Sequence, residues 1–227
     1  VVSSVVTEEE LRLSTFFKNN EVRDKAFEDF RRQGFPTKKV ERYKYTDMQK
    51  LFEPDYGLNL NRLEIPVNPY ETFKCDVPNL STSLYFVVND QFYSKALPKA
   101  KLNDGVIVDS LNRVATERPE LVAKYYGRLA NTEADAITAL NTMLAQDGLF
   151  IYVPKNVQLE RTIQVINILR SDVDLMVNRR VLIVLEEGAK AQFLFCDHAA
   201  DNKNFLATQV IEAFVGENAC LELNCME

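Results

Sequence analysis

The chain has 227 residues, of which 46% are hydrophobic and 26% charged, and its formal net charge is −6. This mixture is typical of a soluble protein with one or two cores, while the negative charge argues against nucleic-acid binding by phosphate neutralisation. No apolar run is long enough for a membrane span. The amino end, VVSSVVTEEE, lacks the basic and apolar regions of a secretory signal. We therefore predict no nucleic-acid partner and no membrane partner.

Scarce residue types exclude several common kinds of site. His198 is the single histidine, and no two of the seven glycines lie within ten residues of each other. These facts exclude an HExxH metal site and the glycine-rich loops that bind nucleotide phosphates. The four cysteines, at positions 75, 196, 220 and 225, form no CxxC pair. Their spacing favours a reducing, cytoplasmic location.

Amphipathic helices are predicted at the start of the chain. Residues 7–20, TEEELRLSTFFKNN, have Thr7 as a candidate N-cap and glutamates in the first turn. Residues 21–34, EVRDKAFEDFRRQG, place apolar side chains on one helical face and end at Gly34. Thr46 is a candidate cap for a short helix that reaches Leu51.

The middle of the chain mixes short strands with helices. The segment SLYFVVNDQFYSKAL predicts a hairpin that turns at Asn89 and Asp90. After a short strand, helices are predicted to begin at Asp109 or Ser110 and at Pro119. The clearest helical pattern is NTEADAITALNTMLAQDG, with Thr132 as its predicted cap and Gly148 as its end.

Three segments after Leu149 share a strand–turn–strand pattern. Aligning Asn156 with Gly188 and Gly216 gives offsets of 32 and 28 residues. Asparagine and glycine adopt positive φ at low cost, so each aligned position predicts a corner between strands. Repeats near 30 residues with such corners favour a β-solenoid, in which each turn stacks on the previous one. An ordinary β-sandwich with similar turns is the alternative.

Two blocks resemble a known family. VERYKYTDM resembles the amino-terminal signature of the SufB/SufD family of iron–sulfur cluster assembly proteins, SufD in particular, through Glu41, Tyr43, Lys44, Tyr45 and Thr46. Family members usually have tryptophan where Tyr43 stands. LNTMLAQDGLFIYVPKNVQLERTIQVINI, residues 140–168, is similar to the family's helix-to-solenoid junction over its whole length.

The resemblance implies an α+β fold. A mostly helical amino-terminal domain with a small hairpin, residues 1–147, would lead into the start of a right-handed parallel β-helix, a single-stranded β-solenoid, at residues 148–227. The first residue is not methionine and the last residues, LELNCME, look like an unfinished strand. We therefore expect a fragment that stops within the β-helix, before the SufC-binding region of the family. It would also lack the functional histidine that the family carries near the SufB–SufD interface.

The implied function is that of a non-catalytic scaffold subunit. In the family, SufD pairs with SufB through the β-helices, and each binds a SufC ATPase. We thus expect SufB and SufC as partners, no catalytic, cofactor-binding or metal-binding residue in this chain, and the iron–sulfur cluster and ATP only at the level of the complex. An uncapped β-helix end also predicts self-association of the chain.

The cysteines and the histidine are the candidate metal ligands of the chain. Cys196 and His198 are two residues apart and would point the same way on a strand, but two ligands do not close a metal site. We expect one semi-buried thiol and one exposed imidazole. Cys220 and Cys225 would face opposite sides of a strand, off the row of Cys196. We expect both to be free thiols in the core.

The alternative function is that of a β-helical carbohydrate-active enzyme. Asp172 and Asp174 could form a carboxylate pair of the kind that glycosidases use. A sugar-binding groove would also need basic residues, and the chain offers four candidates: Arg161, Arg170, Arg179 and Arg180. Without an evident order among them, a solvated loop is the better interpretation of the two aspartates. The tyrosines of ERYKYT are expected to pack the helical domain rather than stack on a ring.

Overall fold

A computed structural model describes residues 20–58, 68–69, 83–95, 102–103, 105–200 and 202–226. The helices are α1 (Asn20–Gln33), a 3₁₀ turn (Glu41–Tyr43), α2 (Met48–Leu51), α3 (Leu111–Glu117), α4 (Pro119–Tyr125) and α5 (Ala136–Leu144). The strands are β1 (Gly57–Leu58), β2 (Ser83–Val88), β3 (Gln91–Phe92), β4 (Ile107–Ser110), β5 (Leu149–Val153), β6 (Ile163–Leu169), β7 (Leu175–Leu185), β8 (Lys190–Ala199), β9 (Phe205–Val215) and β10 (Cys220–Met226). The helix predicted at residues 7–20 falls almost entirely outside the described residues.

The strands form two mixed five-stranded sheets. The first sheet has the order β1–β7–β5–β4, with β9 on the other side of β7, and the second has the order β10–β8–β6–β2–β3. The pairs β4–β5 and β2–β3 are antiparallel, and the remaining pairs are parallel. From β5 onward, consecutive strands alternate between the two sheets.

The predicted fold class is wrong. The chain is a mixed α/β fold with two mixed sheets and not a helical domain followed by a right-handed parallel β-helix. Strands that precede residue 148 are built into both sheets, and two of the pairings are antiparallel. The physical reason is burial. β2 has buried side chains on both faces and β4 has them at alternate positions, and both strands keep these side chains buried by extending the sheets.

The repeat near 30 residues appears in the register, with one correction. Leu149 pairs with Val181 and Val181 pairs with Ile211, which are offsets of 32 and 30 residues. The corners with positive φ are Asn156, Gly188 and Asn218. Asn218 therefore takes the place that the sequence alignment gave to Gly216. Gly216 is needed for another reason, because a Cβ atom there would lie 2.7 Å from the backbone nitrogen of Glu187.

From β5 onward, odd-numbered side chains of the two sheets face each other and form the main core. It includes Leu149, Ile151 and Val181 from the first sheet and Ile163 and Phe193 from the second. On the opposite face of the first sheet, Phe150 and Leu182 pack against residues of α3 and α4, and Met176 packs against α5. The molecule is thus layered as helices, first sheet and second sheet.

Several local predictions are confirmed with small shifts. The helix at 21–34 and the hairpin at Asn89 are present, and Gly34 ends α1 with φ of 66°. Ser110 caps α3, as predicted, because its hydroxyl accepts a hydrogen bond from the amide of Arg113. Asp47 and Asp135, and not Thr46 and Thr132, cap α2 and α5. The residue that caps a helix is the one whose side chain accepts a hydrogen bond from a first-turn amide, and at both positions this is the aspartate.

Gly148 does not end α5, which stops at Leu144. A Cβ atom at Gly148 would lie 2.2 Å from the carbonyl oxygen of Arg180. The glycine therefore allows the chain to enter β5 directly against β7. This contact is a tertiary constraint that the local helical pattern does not contain.

A buried ion pair joins the helical layer to the first sheet. Arg180 of β7 and Glu212 of β9 are fully buried, and Nη2 of the arginine donates to Oε1 of the glutamate at 2.6 Å. Nη1 of Arg180 also donates to Oγ1 of Thr142 in α5 at 2.6 Å. The guanidinium lies 4.7 Å from the ring centre of Tyr126. Four elements of the fold thus meet at one charged pair.

Backbone amides complete the environment of the Glu212 carboxylate. The amides of Gly127, Leu129 and Ala130 donate to it at 2.9, 2.9 and 3.1 Å. Burial favours the neutral acid, but the charge of Arg180 and the hydrogen bonds outweigh it and lower the pKa of Glu212 from its ordinary value. The carboxylate therefore stays ionised inside the protein and fixes the loop that follows α4.

Replacing Glu212 with glutamine is predicted to lower the free energy of unfolding by about 3 kcal/mol or more, because it leaves the Arg180 charge buried without a counter-ion. Because the folded pKa is depressed, this stabilisation is present above the unfolded pKa of about 4.3 and is lost as pH falls towards the folded pKa. Urea unfolding at neutral and acidic pH measures both effects.

The matched control for this prediction is Glu187→Gln, since Glu187 pairs with Lys155 at 2.8 Å on the surface. We expect it to cost about 1 kcal/mol or less. Equal losses for the two variants, or a Glu212→Gln effect independent of pH, would contradict the prediction.

Candidate functional site

The described part of the fold leaves one side of each sheet open. β9 pairs with β7, and β10 pairs with β8, each along its whole length. Neither strand has a second strand partner among the described residues. We call these two strands, Phe205–Val215 and Cys220–Met226, the β9–β10 edge. An edge of this kind presents backbone N–H and C=O groups that can pair with another strand.

The apolar interior is uncovered at the same place. Leu223 occupies the register position of Phe193, yet it is 37% exposed whereas Phe193 is 0% exposed. Val215, in register with the buried Leu185, is 48% exposed, and Met226 is half exposed. These side chains continue the buried rows of the sheets but have no neighbour on one side. Among the described residues, the β9–β10 edge therefore combines unpaired backbone groups with exposed apolar side chains.

A polar row on the outside of the second sheet also ends at this edge. The hydroxyl of Thr162 donates to Gln192 at 3.3 Å, and the amide of Gln192 donates to Glu222 at 3.1 Å. Asn224 donates to the other carboxylate oxygen of Glu222. Thr162 directly precedes β6, Gln192 lies in β8, and Glu222 in β10 places a carboxylate at the open end of the row. A strand added here would meet an acceptor at the position of Glu222.

Cys196 and His198 lie two positions apart in β8 and differ in burial. Cys196 is buried in an apolar cluster with Phe86 and Ile166, and its sulfur accepts from Nε2 of Gln164 at 3.8 Å. His198 is half-buried. No group of three or more His, Cys, Asp or Glu side chains that could hold a metal ion occurs among the described residues. The sequence prediction placed both side chains on one face, and the two residues lie two positions apart in β8.

Cys220 and Cys225 are exposed free thiols of β10. The prediction of thiols in the core is therefore wrong for this pair, because no strand covers β10 in the described structure. Met226 takes the position in register with Cys196, so the prediction that neither cysteine shares that row is confirmed.

The residues considered for a sugar-binding groove do not come together. Arg180 is buried in its pair with Glu212, and Arg179 is buried on the opposite face of the strand, where it pairs with Asp197 at 2.9 Å. Asp174 accepts two hydrogen bonds from Asn204, which lower the pKa of its carboxyl. Three of the residues are exposed: Arg161, Arg170 and Asp172. The arginines therefore serve two separate buried ion pairs, and Asp174 stabilises a turn.

The two tyrosines of ERYKYT differ in environment. The hydroxyl of Tyr43 donates to Asp135 at 2.6 Å, and the ring packs beside the core that α1 and α5 share. Burial, with the adjacent Asp135 carboxylate, raises the pKa of Tyr43 to about 12. Tyr45 is 90% exposed. The predicted packing role is thus confirmed for Tyr43 and wrong for Tyr45.

The β9–β10 edge was not identified from the sequence. Its exposed apolar residues alternate in β9 and β10 as they do in the buried strands, so pattern alone does not distinguish an edge strand from a central one. No helix among the described residues is both long and apolar enough to cross a bilayer. The described residues define a layered α/β protein in which β9 and β10 each have one strand partner.

Comparison with known proteins identifies the family. Residues 7–165 match the family described as the SufBD protein N-terminal region. The chain belongs to the SufBD family, as a SufD-like member.

Three relatives show how far the similarity extends. A chloroplastic iron–sulfur cluster assembly SufBD family protein of Arabidopsis thaliana is 27% identical over 98% of this chain and 43% of its own length. The iron–sulfur cluster assembly protein SufD of Bacillus subtilis is 30% identical over 67% of this chain and 35% of its own length. A SufBD family protein of Synechocystis is 31% identical over 57% of this chain and 27% of its own length. The chain thus spans less than half the length of these relatives.

The burial of the three described cysteines predicts their reactivity. In a Cys75→Ser background, we expect a maleimide to modify Cys220 and Cys225 rapidly and Cys196 only after unfolding, because Cys196 is 2% exposed. Intact-mass spectrometry counts the adducts before and after addition of urea. A native adduct on Cys196, or protection of both β10 thiols, would contradict the surface described above.

Proposed function

We propose that this chain serves in iron–sulfur cluster assembly as a non-catalytic scaffold subunit of a SUF-type complex, with SufB and SufC proteins as its partners. Family membership supports the assembly role, since the relatives carry it in their names. The observation that carries the scaffold role is the β9–β10 edge, where apolar side chains and strand backbone are open together.

The proposed mechanism is geometric. A partner strand laid along β10 would complete the backbone hydrogen bonds and bury Leu223 and Met226, which are now partly exposed. Main-chain pairing would supply affinity, and the alternating side chains would set the register. The subunit would thereby hold its partners at a fixed distance and orientation while the cluster is built.

In this proposal the chain holds neither the cluster nor ATP. ATP would bind the SufC partner, and the cluster would be the cargo of the whole complex. The proposal agrees with the pairing of three side chains within the chain: Arg179 pairs with Asp197, Arg180 with Glu212, and Asp174 accepts hydrogen bonds from Asn204. We retain a cytoplasmic location as a prediction; the Arabidopsis relative is named as chloroplastic.

Charge introduced at the edge is predicted to prevent assembly. We expect the full-length parent protein to co-purify with SufB and SufC proteins of the same organism under reducing conditions. The double variant Leu223→Glu/Met226→Glu should reduce the recovered complex at least about tenfold, because it places carboxylates in the surface that the partner buries. Size-exclusion chromatography with quantitative mass spectrometry measures the yield.

The control for assembly is Val173→Glu, which alters a side chain of similar exposure in the loop between β6 and β7. It should leave the complex intact. Melting temperatures of the free variants establish that the fold is retained. Absence of a complex with the unaltered full-length protein would contradict the scaffold proposal. An equal loss of complex in the Val173→Glu control would show that the β9–β10 edge is not the binding surface.

The same edge is predicted to make the isolated chain self-associate. Two copies that meet at β9 or β10 would cover the exposed apolar side chains and pair their open backbone groups. Sedimentation velocity over a range of concentrations should show a dimer or larger species, and Leu223→Glu should shift the equilibrium towards the monomer. A monomer at every concentration would contradict self-association.

A further inference from the structure

A second surface lies on the helical side of the molecule. Residues 37–51, which we call the basic segment, connect α1 to the core through tight turns: backbone amides of Val40, Tyr43 and Thr46 each bond to a carbonyl three residues earlier. Buried Met48 and Phe52 fix one end, and the hydrogen bond from Tyr43 to Asp135 fixes the centre. The exposed side chains of the segment are therefore held on a preorganised backbone, which lowers the entropy cost of binding a partner.

The basic segment opposes the charge of the chain as a whole. It contains five basic and two acidic residues, whereas the chain has a net charge of −6. Lys44 is partly neutralised by Glu41, and Lys38 by Asp47, at 3.0 and 3.5 Å. Lys39 and Lys50 are exposed and form no ion pair within the described residues. The segment thus presents free cationic charge on an otherwise acidic protein.

Exposed apolar side chains accompany these cations. Tyr45 is 90% exposed, with the ammonium group of Lys44 at 5.1 Å from its ring centre, and Val40 and Leu51 are also exposed. Val40 faces the exposed Leu129 across a cleft of about 440 Å³, which Arg42 and Val210 also line. The surface thus combines cations, an exposed aromatic ring and a mixed cleft in which Val40 and Leu129 offer aliphatic contacts.

We propose that the basic segment and its cleft bind an acidic segment of another protein that carries a leucine or aromatic anchor. The anchor enters the cleft between Val40 and Leu129, and its neighbouring carboxylates face Lys39 and Lys50. Tyr45 packs against the same segment. Charge complementarity selects the partner, while burial of the anchor supplies affinity. The cleft adjoins the β9–β10 edge, because Val210 and the three residues that follow it in β9 line it, but no residue of β10 does. The proposal therefore does not rest on strand pairing along β10.

A protein partner fits this surface better than a nucleic acid. The chain has a net charge of −6, and Lys39 and Lys50 are two cations only, too few to neutralise a run of phosphates. Val40, Leu51 and Leu129 are aliphatic and offer a phosphate chain nothing to bind. An acidic peptide with an apolar anchor uses both the charges and the aliphatic side chains.

Fluorescence anisotropy tests the proposal with a labelled peptide that has glutamates on both sides of a leucine–phenylalanine pair. The unaltered chain should bind it saturably. The double variant Lys39→Glu/Lys50→Glu should weaken binding about tenfold, and Tyr45→Ser roughly fivefold. The matched controls are Lys190→Glu/Lys203→Glu, the same charge change at exposed sites on and beside the second sheet, and Val173→Ser, the loss of another exposed apolar side chain.

The controls should bind as the unaltered chain does, and so should Leu223→Glu, which alters only the β9–β10 edge. If Lys190→Glu/Lys203→Glu weakens peptide binding equally, the overall charge of the chain explains the effect and the proposal is overturned. Equal affinity for a peptide with lysines in place of the glutamates would do the same. Tighter binding of a labelled oligouridylate would assign the surface to a nucleic acid. A lack of saturable peptide binding up to about 1 mM would also overturn the proposal.

Discussion

The ion pair between Arg180 and Glu212 is the constraint on which the rest of the structure depends. Two charges removed from water are tolerated only when they are paired and hydrogen-bonded, and here the partners come from β7, β9, α5 and the loop after α4. The ion pair therefore fixes the position of α5, and of the loop after α4, along β7 and β9 of the first sheet. The neighbouring polar contacts depend on the same placement: Asn141 of α5 donates to the carbonyl of Arg179 and to the hydroxyl of Thr208.

The same strand separates two polar networks that have different purposes. Arg180 points to the helices, whereas Arg179 points between the sheets and donates to Asp197 and to the carbonyl of Asn89 in the hairpin turn. Adjacent arginines thus fasten β7 to both of its neighbouring layers. This arrangement fixes β7 between the helices and the second sheet, and β9, which pairs with β7 along its whole length, is held in place by the same strand.

The two exposed surfaces differ in the physics of recognition that they offer. The β9–β10 edge offers backbone pairing and apolar burial, which recognise the shape of a strand and tolerate many sequences. The basic segment offers charge and one apolar cleft, which select the composition of a partner and respond to salt. In the scaffold role that we propose, the β9–β10 edge would fix the orientation of a partner, and the basic segment would select partners by their charge.

The sequence by itself determined the local elements and the family. The helical face of residues 21–34, the asparagine turn at Asn89 and the positive-φ corner at Asn156 follow from side-chain periodicity and backbone sterics, which act within a few residues. Only the tertiary structure decided how the strands are distributed between two mixed sheets, which glycines are required by close contact, and which thiols are exposed. Gly148 is required by the carbonyl of Arg180, 32 positions away, and Cys220 is exposed because nothing described lies beyond β10. Such contacts join residues distant in sequence, and a periodic pattern is the same whether a strand is covered or open.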